Sequence, residues 1–151
     1  MPGWLLILTG CLLVLAAAWW VSRPIGRFWR WSFRLLIAVT LLAMVSPPAL
    51  IDAARSLIDW FVPGAHTIGS SEGAAFLVHL LLFALISVVL FWQRHDLRAL
   101  HLFAGLGALA LTTEGLQYLI DGRFASWFDV GVNLGGVAQG AIIRALRPSA
   151  P

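Results

Sequence analysis

The chain has 151 residues, of which 60% are hydrophobic and 11% charged, with a formal charge of +3. Soluble domains carry about 25% charged residues, so a surface facing only water is excluded and lipid must be the main solvent. All 10 basic residues are arginines, and they lie between apolar runs instead of in one patch, which argues against a nucleic-acid partner.

Five apolar runs, residues 4–21, 33–50, 73–92, 100–120 and 127–146, approach the ~20 residues needed to cross a ~30 Å hydrocarbon core. The expected fold is therefore all-α: a polytopic bundle of five transmembrane helices forming one membrane domain over residues 1–151. Leu8-Thr9-Gly10-Cys11 resembles a lipoprotein cleavage box, and Ala16-Ala17-Ala18 contains an A-x-A site. No positive segment precedes them and the apolar run continues past Cys11, so the first run is expected to stay as a span. Cys11 is the only cysteine, so no internal disulfide can form.

The connections carry the charge. Arg23, Arg27, Arg30 and Arg34 crowd the first, Arg94 and Arg98 the third, and Arg144 and Arg147 flank the end of the last run. Arg55 and Arg123 stand alone in the second and fourth. Eight arginines against two places the first set in the cytoplasm, with the N-terminus outside and the C-terminus inside. That orientation requires an odd number of spans. In the long second connection Asp52, Arg55, Ser56 and Asp59 share one helical face, and Leu50, Ile51, Ala54, Leu57, Ile58 and Phe61 the other. This spacing predicts a short interfacial helix, or equally a lid packed on the helix ends. Pro63-Gly64 is its expected stop, followed by a polar loop from His66 to Ser71.

Chemistry is sought among intramembrane polar groups, because a charged one costs ~2.5–3.5 kcal/mol at a helix centre. His79, Glu114, Gln117, Asp129 and Asn133 qualify, with Arg123 in the nearby connection. His79, Glu114 and Asn133 each lie six residues from the outer end of a run, ~9 Å deep by helix rise. Glu114 and Gln117 share a face at i, i+3, as do Asp129 and Asn133 at i, i+4, with Gly136 and Gly140 continuing the latter stripe. His79, Glu114 and Asp129 are the candidate catalytic residues, by acid–base chemistry. Gln117, Arg123 and Asn133 are the candidate substrate-binding residues, with Arg123 suited to a phosphate or carboxylate.

Each has a structural alternative. Ser126-x-x-Asp129 is a capping-box pattern, Asn133 and Gln117 suit interhelical hydrogen bonding, and the glycine pairs suit plain helix packing. No metal-ligand spacing such as H-E-x-x-H accompanies the cluster, so neither a metal nor a cofactor is assigned.

The run Glu114-x2-Gln117-x5-Arg123-x2-Ser126-x2-Asp129-x3-Asn133-x2-Gly136-x3-Gly140 resembles the C-terminal signature of VanZ-like membrane proteins. His79 followed by Phe83, and Ser46-x-Pro48, fit the same family. The resemblance covers about residues 33–146; residues 1–32 add an N-terminal span and its Arg-rich loop. The family's Asp-Lys pair before the histidine is replaced by Ala75 and Phe76, so no role of that pair is carried over. The resemblance implies a bacterial cytoplasmic-membrane protein of the cell envelope, in a family linked to teicoplanin resistance. The expected partners are membrane lipids and an envelope lipid, glycan or glycopeptide-like ligand. The alternative is a non-catalytic scaffold or binding protein whose polar cluster is structural.

Overall fold

A computed structural model describes residues 3–61 and 72–147. Six α-helices and no strand occur among the described residues: α1 (Gly3–Val21), α2 (Arg27–Val45), α3 (Pro48–Phe61), α4 (Glu72–Gln93), α5 (Ala99–Gln117) and α6 (Trp127–Ala145). Four segments are long and apolar enough to cross a membrane: Gly3–Val21, Arg27–Val45, Ala75–Gln93 and Ala99–Gln117. The fifth expected span, α6, matches them in length but carries Asp129, Asn133, Gln139 and Arg144. The Pro63-Gly64 stop and the His66–Ser71 loop lie outside the described residues.

The second span differs most from its expected bounds. It begins at Arg27, not residue 33, and ends at Val45, not residue 50. A helix needs backbone hydrogen bonds, not apolar side chains, so α2 runs on through its arginines. Arg34 folds back to place its guanidinium 3.5 Å from the Trp19 ring centroid and donates to Ser22 Oγ at 2.9 Å. Arg30 donates twice to the Ile25 carbonyl, at 3.1 and 2.9 Å. At the other end Ser46 is extended, as residues before proline prefer. Pro48 then opens α3 at the first helical position, where its missing N–H costs nothing. Leu57, Ile58, Trp60 and Phe61 of α3 are exposed, so no described residue covers the apolar side of this helix.

The core lies between α2, α4, α5 and α6, built on Phe33, Ile37, Phe83, Ile86, Phe91, Leu106 and Val137. α1 is peripheral, with only Ala18 buried. α4 and α6 run side by side in the same direction. A Cβ added at Gly136 would lie 2.6 Å from the Leu80 carbonyl oxygen, and one at Gly140 2.5 Å from Ser87 Oγ. These two glycines let the helix backbones meet, and Ser87 Oγ bridges them by donating to the Gly136 carbonyl at 3.1 Å. α5 packs against both in the opposite sense.

The arginine-rich ends gather at one pole. Arg94 donates to the Val21 carbonyl and, bidentately at 2.7 Å, to both oxygens of Asp96. Arg144 donates to the carbonyls of Arg94 and Leu97 at 3.3 and 3.0 Å, and Arg147 lies 4.2 Å over Trp92. The hydrogen bonds from Arg94 hold the Asp96 carboxyl below the usual carboxylate range. The folded chain therefore binds that proton less readily than the unfolded chain does. The stabilisation is full above the unfolded value, about 3.9, and is lost as pH falls through the lower folded value. Asp96→Asn should accordingly lower stability slightly at neutral pH and reduce the acid-side slope of stability against pH, measured by thermal unfolding in detergent.

Candidate functional site

Opposite the arginine pole, three helices bring polar groups together. His79 sits in the second turn of α4, Glu114 in the last turn of α5, and Asp129 and Asn133 in the first two turns of α6. His79 Nδ1 lies 3.1 Å from Asn133 Oδ1 and 3.8 Å from Glu114 Oε1. A ring nitrogen of His79 and one carboxylate oxygen each from Glu114 and Asp129 lie within 4.8 Å of one another. The expected convergence of His79, Glu114, Asp129 and Asn133 is thus present. Burial is deep: Asn133 is fully enclosed, Glu114 is 4% exposed and His79 7%.

The equal-depth estimate is corrected in one respect. α5 ends at Gln117, so Glu114 lies three residues from its helix end, not six. Residues 118–123 tighten into turns, with Leu119 and Ile120 bonded to Leu116 and Gln117. Gly122, at φ 77°, then reverses the chain over Pro48. The helix ends are staggered, and the side chains meet at one level even so.

Local chemistry explains the placement. Ser126 is the N-cap of α6, its Oγ accepting from Phe128 N–H at 3.1 Å. In a capping box the N3 acid accepts from the cap's own N–H. Here Ser126 N–H donates instead to Glu114 Oε2, at 3.2 Å. Glu114 takes the place that the sequence pattern offers to Asp129, and Asp129 is left to face His79. One carboxylate oxygen of Glu114 is thereby tied across helices, while the other, Oε1, is buried with no hydrogen-bond partner among the described residues. Asn133 Nδ2 is in the same position.

The remaining two candidates reach a different target. Gln117 Nε2 donates to Met44 Sδ at 3.3 Å, and Arg123 Nη2 donates to the carbonyls of Ala43 and Met44 at 3.2 and 3.0 Å. Both therefore fasten the C-terminal end of α2, where orphan carbonyls favour a cation. Arg123 is half-buried there instead of standing at an open rim. Its charge and that of Asp129 still act on both His79 and Glu114. No motif marks Met44 as an acceptor or the Ser126 amide as a donor to Glu114, since both depend on contacts between distant segments.

An apolar cleft of about 400 Å³ lies elsewhere, between α1, α2 and α5, lined by Val14, Ala18, Phe33, Ile37, Leu106 and Leu109 among others. None of the polar cluster lines it. The cluster can hold and move a proton between a histidine and a carboxylate, and it can bind a cation; among the described residues it offers no free nucleophilic hydroxyl or thiol, because Ser126 is occupied in capping and Cys11 lies in α1. Compared with protein-family models, curated proteins and solved structures, the chain matches none.

Proposed function

We propose that this chain is a VanZ-like, five-span protein of a bacterial cytoplasmic membrane, with its N-terminus outside, whose polar site acts on or binds a cell-envelope ligand at the outer leaflet. The ligand class is a lipid, glycan or glycopeptide. Two features support the topology. α6 accompanies α4 from the level of His79, beside Asn133, to that of Arg94, beside Arg144, so it traverses the same depth. The arginine-rich pole lies at the opposite end from the site, as a cytoplasmic pole would. The open apolar side of α3 suits a helix lying in the outer interface.

The observation that carries the functional reading is the meeting of His79, Glu114 and Asp129 from three helices in a nearly closed site. Burying a carboxylate and a histidine together beside a second, half-buried carboxylate opposes folding, and a purely mechanical joint could be made with neutral groups. In this reading His79 and Glu114 transfer the proton, Asp129 and Asn133 orient His79, and Gln117 and Arg123, expected from the sequence to bind substrate, instead hold the end of α2 beside the site. His79→Ala and Glu114→Gln should each abolish the chain's effect on teicoplanin susceptibility when expressed in a susceptible bacterium, with membrane level and detergent elution profile unchanged. Retention of the full effect in both would overturn the reading.

A scaffold role is the competing reading, favoured by the Asn133–His79 and Ser126–Glu114 bonds, which join α6 to α4 and α5. It expects Glu114→Gln to be tolerated and every loss of function to follow a loss of folding.

A further inference from the structure

We propose that His79, Glu114 and Asp129 form a binding site for one divalent metal ion of the zinc or manganese type; this rests on the polar-site reading above. The sequence spacing gives no sign of it, because the three ligands come from three helices. The geometry does. One nitrogen and two carboxylate oxygens converge within 4.8 Å. Ligand atoms around a tetrahedral ion at ~2.0–2.2 Å stand about 3.3–3.6 Å apart, so the three groups need to draw together by no more than about 1.5 Å to close on an ion.

An independent observation points the same way. Glu114 is 4% exposed and its Oε1, which faces His79, accepts no hydrogen bond among the described residues. A buried carboxylate oxygen of this kind needs a proton or a cation. The second carboxylate beside it doubles the negative charge. Arg123 acts on both from a distance, with Nη2 engaged on the α2 carbonyls. A divalent ion in the shared space neutralises both acids at once.

The donor set selects among ions. Magnesium and calcium take oxygen ligands, whereas an imidazole with two carboxylates suits zinc or manganese and leaves positions for water or substrate. Asn133 Oδ1 lies 3.1 Å from Nδ1, the same ring nitrogen that faces Glu114, so an ion held there would replace that hydrogen bond. A metal here would give the site an activated water or a grip on a phosphate oxygen, and so supply a nucleophile that the described side chains of the cluster lack.

The test uses the full chain in detergent, stripped with chelator, without an affinity tag of histidines. Zn²⁺ alone, and separately Mn²⁺ alone, is added and excess removed by gel filtration before elemental analysis. About one ion per chain should be retained, with a rise in unfolding temperature. Asp129→Asn, at a half-exposed position, should lose the ion while keeping its elution profile. Asp121→Asn, outside the cluster, should retain the ion. Failure of the wild-type chain to retain either ion overturns the proposal, as does retention that survives the combined loss of His79, Glu114 and Asp129. If no ion is held but His79 and Glu114 remain essential for the envelope effect, the metal falls and the polar site stands. If the ion is held but both residues prove dispensable for that effect, the functional reading falls and the metal site stands.

Discussion

Gly140→Leu is expected to separate α4 from α6 and to cost the chain most of its folded stability in detergent. The first added carbon would lie 2.5 Å from Ser87 Oγ and 2.6 Å from the Ser87 carbonyl carbon. The hydroxyl could rotate away, but the backbone atom cannot. Overpacking of a closed core costs about 1–3 kcal/mol and sometimes more, and here the obstacle is main chain. Ser87 also loses its bond to the Gly136 carbonyl when the helices part. Gly131→Ala supplies the control, because nothing lies within 4 Å of its added carbon. Thermal unfolding followed by tryptophan fluorescence should show a large fall for the first variant and almost none for the second. Equal behaviour of the two would mean that α4 and α6 do not pack as described.

Arg94→Leu should destabilise the opposite pole by about 1.5–3 kcal/mol, the range for hydrogen bonds to charged groups. Arg94 is 6% exposed and ties the end of α4 to the Val21 carbonyl of α1 and to Asp96 in the next connection. The partner Asp96 is mostly exposed, so the ion pair itself contributes little. Most of the loss comes from leaving the Val21 carbonyl without its donor. Arg94→Lys should restore stability only in part, because an ammonium is a point charge on a shorter, more mobile stem and does not present a fork that holds the Val21 carbonyl and Asp96 together. Denaturation in detergent with Leu and Lys variants compared checks this; full rescue by Lys would contradict it.

The helices were legible where lipid dictates composition. Runs of apolar residues forecast α1, α4 and α5 to within a few residues at their ends, because every lipid-facing position must be apolar. α2 was misplaced at both ends because arginines that turn back onto Trp19 and the Ile25 carbonyl can occupy a helix that composition would have ended sooner. The amphipathic spacing of α3 was legible, but its open apolar side was not, since spacing shows which residues share a face and not what covers it. Within the site, the meeting of His79, Glu114 and Asp129 followed from shared position near one face of the bundle. The capping exchange did not. The pattern Ser126-x-x-Asp129 names a local partner for the Ser126 amide, and only tertiary packing puts Glu114 there instead. Arg123 likewise looked like a surface group until the end of α2 was seen to need its donors.

The parallel pairing of α4 with α6 has a consequence for how the chain is made. α6 is synthesised after the other described helices and, alone among the long ones, is not apolar enough to count as a span by composition. On the five-span reading it enters the bilayer against a docking groove that α4 already presents, with Gly136 and Gly140 as the keys that fit. Until then Glu114 has no Ser126 amide and His79 has no Asn133, and the nascent protein holds two ionisable groups in lipid without their companions. On that reading the half-built site marks a late, vulnerable interval in biogenesis, which ends when α6 arrives and brings Ser126 and Asn133 to their partners.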